Sequence, residues 1–147
     1  MVTLQLLKTE DAEALLEFEL VNQEWFESYI EARDEDFFTE EGIKEHIDFY
    51  LSEYEQDRIY PMLLKNVQGT ICGRANLYNI NREKESGFIG YRIGEEFISQ
   101  GLATYATEVL INVARETLAL SELIATATTD NLASQRVLSK NGFKQVG

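Results

Sequence analysis

The chain has 147 residues, of which 44% are hydrophobic and 11% aromatic, and its formal net charge is −13. This length and apolar content predict one globular domain over residues 1–147 and exclude a disordered or fibrous chain. A run of about 18 uncharged apolar residues, the minimum for crossing a bilayer, is absent from the sequence, and the start at Met1–Lys8 has no basic flank. We therefore expect a cytoplasmic protein without a membrane partner.

The acidic charge is concentrated at the front of the chain. Residues 1–58 hold 18 Asp and Glu against 4 Lys and Arg, a net of −14, whereas residues 59–147 hold 8 acids against 9 bases, a net of +1. The acidic part would repel nucleic acid and attract cations, including amines. A solvated helical face that keeps the protein in solution is the alternative interpretation. A metal site is not expected, because His46 is the one histidine and Cys72 the one cysteine.

The sequence pattern of the front part of the chain predicts one strand followed by two helices. Val2–Lys8 is rich in Leu and Val, and Thr9-Glu10-Asp11 forms a helix start with acids in the first turn. Apolar residues recur at helical spacing from Ala12 to about Tyr29. Arg33–Asp36 is expected to be a loop, and Thr39-Glu40-Glu41-Gly42 has the pattern of a cap that begins a second helix.

The middle of the chain predicts an antiparallel meander. Two β-compatible runs, Tyr60–Lys65 and Thr70–Ile80, flank a short turn, and a third run spans Ser86–Ile93. From Leu102 to Leu118, apolar residues recur every three or four positions, which indicates a long amphipathic helix.

The end of the chain predicts a strand, a helix and the start of another strand. Leu123–Thr128 is β-compatible, and a helix is expected from about Asn131 to Lys140. Gly142 stands where a left-handed cap is needed, and Phe143–Val146 is expected to begin a strand. The alternation of strands and helices indicates an α/β (α+β) fold with a mixed sheet.

A glycine turn before the long helix could bind a phosphate. Gln100-Gly101-Leu102-Ala103-Thr104 would place unpaired N–H groups at a helix start, where the helix dipole favours an anion. An ordinary turn is the alternative interpretation of this segment, which matches neither of the common glycine-rich phosphate motifs.

The order of these motifs resembles the GCN5-related N-acetyltransferase (GNAT) superfamily. The motifs are Gly90-Tyr91-Arg92-Ile93-Gly94, the turn at Gly101, then Asn131-x-x-Ser134 and Asn141-Gly142-Phe143. Within the superfamily the chain is similar to the ribosomal-protein-alanine acetyltransferases of the RimJ/RimL type. The resemblance implies a mixed central sheet with an antiparallel meander and flanking helices, here without the last C-terminal strand.

The resemblance also implies which residues bind acetyl-CoA, the cosubstrate of this superfamily. Residues 59–147 would form the acyl-CoA-binding part and residues 1–58 the acidic acceptor side. Gly101 and Ala103 match the acyl-CoA loop, while Ile98 stands at its basic or amide position. The expected cofactor-binding residues are Tyr91, Arg92, Ile93, Ser99, Gln100, Gly101, Leu102, Ala103, Thr104, Asn131 and Ser134.

The catalytic acid implied by the resemblance is Ser134. Many superfamily members have a tyrosine acid at the position that Leu138 occupies here, and in RimL-like relatives the serine three residues after the asparagine is the proposed acid. A hydroxyl there could donate to the departing CoA thiolate, or it could only bind CoA. Asn131, similarly, could contact pantetheine or cap its helix. Candidate bases are Glu83, Glu85 and residues 34–36, by charge alone.

We therefore predict an N-acetyltransferase that moves acetyl from acetyl-CoA to a primary amine, first of all a protein N-terminus and otherwise a small amine. A degenerate acyl-CoA-binding or interaction domain is the alternative, suggested by Ile98, Ser99, Leu138 and the end of the chain soon after Phe143. The missing strand would leave an open sheet edge, so we expect either that the chain is truncated or that another subunit, as in a homodimer, covers this edge.

Overall fold

The central feature of the fold is a five-stranded sheet. The computed structural model describes residues 2–28, 31–126 and 132–144. Within these ranges the strands follow one another across the sheet in chain order, and only the last neighbouring pair is parallel. The strands are β1 (Val2–Leu6), β2 (Tyr60–Asn66), β3 (Ile71–Asn81), β4 (Ser86–Ile93) and β5 (Glu122–Ile124). The predicted mixed sheet with an antiparallel meander is confirmed.

Helices cover both faces of this sheet. Leu64 of β2 belongs to a core with Ala106 and Leu110, whereas the adjacent Leu63 packs with Leu15 and Ile43. Successive side chains of a strand point to opposite faces, so a strand covered on both sides is apolar throughout instead of alternating. The helices are α1 (Ala12–Val21), α2 (Gln23–Glu27), α3 (Glu40–Glu55), α4 (Leu102–Asn112) and α5 (Leu132–Lys140).

The single helix predicted from Ala12 to Tyr29 is divided at Asn22. Asn22 separates α1 from α2, and its side chain is 6% exposed. Its Nδ2 donates to the Phe18 carbonyl at 2.9 Å, and its Oδ1 accepts from the backbone N–H of Glu95 at 2.9 Å. These bonds tie the helical break to the segment after β4, a tertiary constraint that helical periodicity does not encode. Tyr29 itself lies outside the described residues.

The predicted cap at Thr39 is confirmed. Thr39 Oγ1 accepts a hydrogen bond from the backbone N–H of Gly42 at 3.0 Å, and α3 begins at Glu40. Just before it, Glu35–Phe38 forms a 3-10 turn where the sequence predicted a loop through Asp36. Any β-carbon at Gly42 would collide with the carbonyl oxygen of Asp36, so glycine is required where this turn meets the helix.

Two predicted elements of the second half differ in length. The long helix is α-helical only to Asn112 and then widens into a π-helix over Val113–Thr117, where the N–H of Leu118 donates to the Val113 carbonyl at 3.1 Å. β5 ends at Ile124, and residues 127 and 128 of the predicted strand lie outside the described ranges.

The strand predicted from Phe143 is wrong for the two residues that are described. Gly142 has a φ of 88°, as its predicted left-handed cap requires, and the N–H of Phe143 donates to the Leu138 carbonyl at 3.0 Å. This bond belongs to the helix C-cap, so Phe143 and Lys144 are not part of a strand. None of the helices in the described ranges has the length and apolarity needed to cross a membrane.

Candidate functional site

A cleft of about 480 Å³ opens between the second half of β4 and α5. β5 pairs only with Ser86–Phe88, so the same edge of β4 from Ile89 to Ile93 has no strand partner among the described residues. An unpaired strand edge offers backbone donors and acceptors to an extended ligand. The lining comprises Arg33, Tyr50, Arg74, Asn76, Tyr78, Ile89, Gly90, Tyr91, Arg92, Ala125, Thr126, Ser134 and Leu138.

Two of the predicted residues are in direct contact within this cleft. The Tyr91 hydroxyl on β4 donates to Ser134 Oγ on α5 at 3.1 Å. Burial raises the pKa of Tyr91, and the bond to Ser134 opposes that shift only in part. The phenol is therefore neutral at pH 7 and remains a donor. Leu138, where many superfamily members have tyrosine, supplies an apolar wall.

The glycine turn forms a separate surface at the start of α4. Gly101 has a φ of 75° and Ser99 one of 63°, so two residues of this turn lie in the left-handed region. A β-carbon at Gly101 would have nothing within 4 Å, which leaves the backbone open to a ligand. Within the described ranges no side chain caps this helix, and its first-turn N–H groups suit a diphosphate. These residues do not line the cleft.

The remaining predicted site residues lie elsewhere. Asn131 falls outside the described residues. Ile93 is 8% exposed and contributes to the core beside the cleft. The candidate bases Glu83, Glu85 and residues 34–36 are exposed and do not line the cleft, so the structure does not bring them together with Ser134. In the described part of the chain, no three His, Cys, Asp or Glu side chains are grouped to hold a metal ion.

In the part of the cleft lined by Arg74 and Arg92, a buried ion cluster was missed by sequence reasoning. Glu19 on α1 accepts from Arg74 Nη1 on β3 at 2.9 Å, and Glu19 Oε1 lies 3.6 Å from Arg92 Nη1 on β4. The side chains of Glu19 and Arg74 are 2% and 3% exposed. Arg74 and Arg92 are register partners on adjacent strands, an arrangement that is unfavourable for like charges unless a counter-charge lies between them.

His46 on α3 completes this cluster as a neutral group. Arg74 Nη2 lies 2.8 Å from His46 Nε2, and because arginine only donates, Nε2 must be the unprotonated nitrogen. Burial, and then the charges of Arg74, Arg33 and Arg92, lower the pKa of His46 to about 3. The imidazole therefore carries no charge at neutral pH.

Arg33 adds a third guanidinium to this part of the cleft. Its pKa is lowered to about 10, first by burial and then by the charge of Arg92, with smaller opposing effects. The guanidinium of Arg33 is thus partly shielded from water and lies in the positive field of the neighbouring arginines. Each guanidinium lies over an aromatic ring: Arg33 over Phe37 at 4.2 Å, Arg74 over Tyr50 at 5.4 Å and Arg92 over Phe26 at 5.2 Å.

Asn76 lines the cleft beside this ion cluster. It is two residues after Arg74 on β3, so both side chains point to the same face of the sheet. Its buried Oδ1 has no hydrogen-bond partner among the described residues. A buried acceptor without a partner is costly, and a ligand N–H would relieve that cost. The sequence held one signal for this region, a lone arginine inside the otherwise apolar run Ile71–Ala75.

Replacing His46 with glutamine is expected to flatten the pH dependence of stability. In the unfolded wild type the pKa is near 6.5, against about 3 when folded. Below pH 6.5, His46 is therefore protonated in the unfolded state but remains neutral in the folded state. The free energy of unfolding falls as the pH falls, because protonation stabilises only the unfolded state. Between pH 7 and pH 5, the protonation of His46 lowers the free energy of unfolding by about 2 kcal/mol.

Urea unfolding of both proteins at pH 7, 6 and 5 checks this prediction. Glutamine can still accept from Arg74 but does not titrate, so the wild type should lose about 2 kcal/mol more than the variant over that range. Parallel curves for the two proteins would show that His46 is not held neutral in the fold.

Comparisons with known proteins agree with this architecture. The model of the acetyltransferase (GNAT) domain matches residues 2–144. The chain is 30% identical over 143 residues to the probable N-acetyltransferase YjcK of Bacillus subtilis. This alignment covers 96% of this chain and 79% of that protein. Among solved structures, a ribosomal-protein-S5-alanine acetyltransferase from Vibrio fischeri superimposes with a TM-score of 0.94 at 23% identity, over 99% of this chain and 81% of that one. A spermidine N-acetyltransferase from Vibrio cholerae, in complex with CoA and spermine, superimposes with a TM-score of 0.81 at 16% identity. The match covers 99% of this chain and 82% of that one.

Proposed function

Because the chain belongs to the GNAT acetyltransferase family and is an acetyl-CoA-dependent N-acetyltransferase, we propose that its acceptor is the N-terminal amine of a protein or peptide, which attacks the thioester directly. The similarity to a ribosomal-protein-alanine acetyltransferase supports this choice of acceptor. Residues 59–147 would hold acetyl-CoA, and residues 1–58 would contribute to the acceptor end.

The observation that carries the proposal is the continuity of the cleft. Ser134 and Tyr91 line one part of it, and Asn76 and the arginines line another. An acceptor could therefore reach a thioester held beside Ser134 while the rest of the acceptor contacts the arginines. Holding two reactants in attack geometry is itself a large part of catalysis, up to about 7–11 kcal/mol in ideal cases.

Three residues of the cleft have defined tasks in this proposal. Asn76 Oδ1 accepts an N–H of the neutral amine and so orients its lone pair toward the thioester carbon. As the C–N bond forms and the C–S bond breaks, Ser134 donates its proton to the departing sulfur. Tyr91, already donating to Ser134, replaces that proton. Water receives the proton that the amine loses and returns one to the Tyr91 phenolate, so that both hydroxyls are restored. The hydrogen-bonded pair thus assists only where charge develops, as transition-state stabilisation requires.

The exposed backbone supports binding of the CoA portion. The first-turn N–H groups of α4, at Leu102, Ala103 and Thr104, would face the diphosphate, with Gly101 and Ser99 shaping the turn. The open edge of β4 at Tyr91–Ile93 would pair with the pantetheine arm, and Gln100 stands beside the turn. Asn131, which precedes α5 in the sequence and lies outside the described residues, remains a proposed contact to pantetheine.

Acetylation assays with three acceptor classes test the proposed function. Acetyl-CoA is incubated with the protein and with N-terminal peptides of ribosomal proteins, the same peptides blocked at their α-amine, or spermidine, and thiol release is followed. We expect release with the free peptides and a mass increase of one acetyl group at the α-amine. Acetylation of spermidine alone would assign a small-amine enzyme. Binding of CoA without thiol release for any acceptor would assign a degenerate acyl-CoA-binding domain.

Replacing Ile98 with arginine is expected to tighten CoA binding about tenfold. The resemblance places a basic or amide side chain at this position, and a charged hydrogen bond to a phosphate is worth about 1–3 kcal/mol. Ile98 is 43% exposed, so little packing is lost. Titration calorimetry with CoA measures the change. Pantetheine, which lacks the diphosphate, should show none.

The matched control for this substitution is Val67→Arg. Val67 is an apolar residue in the turn between β2 and β3, and it is 78% exposed. Its replacement adds the same charge at a different surface. Equal tightening by both substitutions would mean that overall charge, rather than a contact at the glycine turn, is responsible.

A further inference from the structure

The acceptor end of the cleft has an excess of positive charge. Arg33, Arg74 and Arg92 line it, and Glu19 is the carboxylate that contacts Arg74 and Arg92 within the described structure. His46 accepts from Arg74 and carries no charge. Among these described side chains, three guanidinium groups and one carboxylate give an excess of about two positive charges, although residues 1–58 as a whole have a net charge of −14.

The nearby surface carboxylates do not neutralise this excess. Glu27 and Glu31 line a small depression beside Arg33 and Arg92, but both are exposed to solvent. Exposed charges are screened by water and interact weakly. The groups that raise the pKa of Arg33 are Glu19 and Tyr50, and they are outweighed by burial and by the other two arginines.

The three arginines differ in how accessible they are. Arg74 is 3% exposed and already bonded to Glu19 and His46, so it contributes charge and positions its neighbours. The Arg92 side chain is 22% exposed, and Arg33 is only partly buried. Guanidinium groups match carboxylates with two parallel hydrogen bonds, and such bonds are strong where water is excluded.

We propose that the acceptor carries a carboxylate close to its reacting amine, and that Arg33 and Arg92 bind this carboxylate in the arginine-lined part of the cleft. This inference rests on acetyl transfer to an amine in this cleft, as the proposed function has it. A peptide carboxylate would narrow the proposed acceptor class, and a free amino acid would replace it. The carboxylate has two sources: the α-carboxylate of a free amino acid, or an acidic side chain near the N-terminus of a peptide. A polyamine has the wrong charge for this surface.

Matched acceptor pairs test the inference in the wild-type protein. One pair is free amino acids and their amides; the other is peptides with Asp or Glu at their second position and the same peptides with Asn or Gln. We expect kcat/KM to be at least about tenfold higher for the acid in one of the pairs, and which pair it is identifies the source of the carboxylate. Equal values within both pairs would overturn the inference while leaving the proposed function intact.

Variants connect the preference to the arginines. Arg33→Gln is expected to reduce the acid-to-amide ratio of kcat/KM at least about fivefold, and Arg92→Gln to do the same. The control is Arg82→Gln, because Arg82 lies on the exposed turn after β3 and pairs only with exposed Asp57 among the described residues. A ratio that falls equally in all three variants would reflect general charge and overturn the site. Unchanged Kd for CoA verifies that each variant is folded.

A failure of the chemistry can be separated from a failure of the carboxylate site. If no acceptor releases thiol, the proposed function is wrong, and calorimetric binding of the same acceptor pairs to the CoA-saturated protein then decides the inference. Tighter binding of acids than of amides, lost in Arg33→Gln, would support it. Equal or undetectable binding within both pairs would overturn it.

Discussion

Replacing Ser134 with alanine is expected to lower kcat about 100-fold and to change the Kd of CoA less than about threefold. A positioned proton donor contributes about 10²–10⁴-fold to rate, and its effect is confined to the step in which charge develops on sulfur. Ser134 Oγ accepts from the Tyr91 hydroxyl at 3.1 Å, which polarises the serine hydroxyl and makes it a better donor. Steady-state kinetics with a peptide acceptor, together with calorimetric CoA binding, separate the two quantities.

Tyr91→Phe and the double variant show whether the two hydroxyls act as one unit. If Tyr91 works through Ser134, its removal should lower kcat about tenfold in the wild type and have little further effect in Ser134→Ala. Ser139→Ala is the matched control, since Ser139 is an exposed serine on the same helix. Full turnover in Ser134→Ala would exclude the acid role. A loss of CoA affinity equal to the loss of kcat would instead make Ser134 a binding residue.

The parts of the fold that local patterns determine were predictable from sequence. The cap at Thr39 depends on bonds within four residues, and the left-handed cap at Gly142 on one backbone angle. The meander followed from β-compatible runs separated by short turns. Ser134 and Tyr91 were named through the order of motifs, and their contact across the cleft needed the packed structure.

The acceptor end was not predictable, because its members come from five separate segments: α1, the loop at Arg33, α3, β3 and β4. Glu19, Arg33 and His46 are far apart in the sequence, and each alone resembles an ordinary surface residue of an acidic chain. Arg74 is unusual in its apolar run, but the run does not reveal its partners. Only their packing makes the local charge positive while the front part is negative overall. The break at Asn22 has the same origin, since the partner of its side chain, Glu95, is 73 residues away.

The largest expected loss of stability comes from Glu19→Gln. Arg74 is 3% exposed and faces Arg92 across the strands, so Glu19 provides the counter-charge that both share. Removing one partner of a buried ion pair leaves an uncompensated charge and costs about 3–5 kcal/mol. Urea unfolding at pH 7 should show this loss with an unchanged dependence on denaturant, because glutamine has nearly the same size.

Two further variants identify charge as the cause of that loss. Glu17→Gln removes an exposed carboxylate from the same helix, and we expect it to stay within about 0.5 kcal/mol of the wild type. Adding Arg92→Gln to Glu19→Gln removes one of the two facing cations, so the double variant should be more stable than Glu19→Gln alone. A loss below about 1 kcal/mol in Glu19→Gln would mean that water already screens the arginines. In that case the excess charge could not act as a dry anion site, so this measurement of stability also bears on how the cleft selects its acceptor.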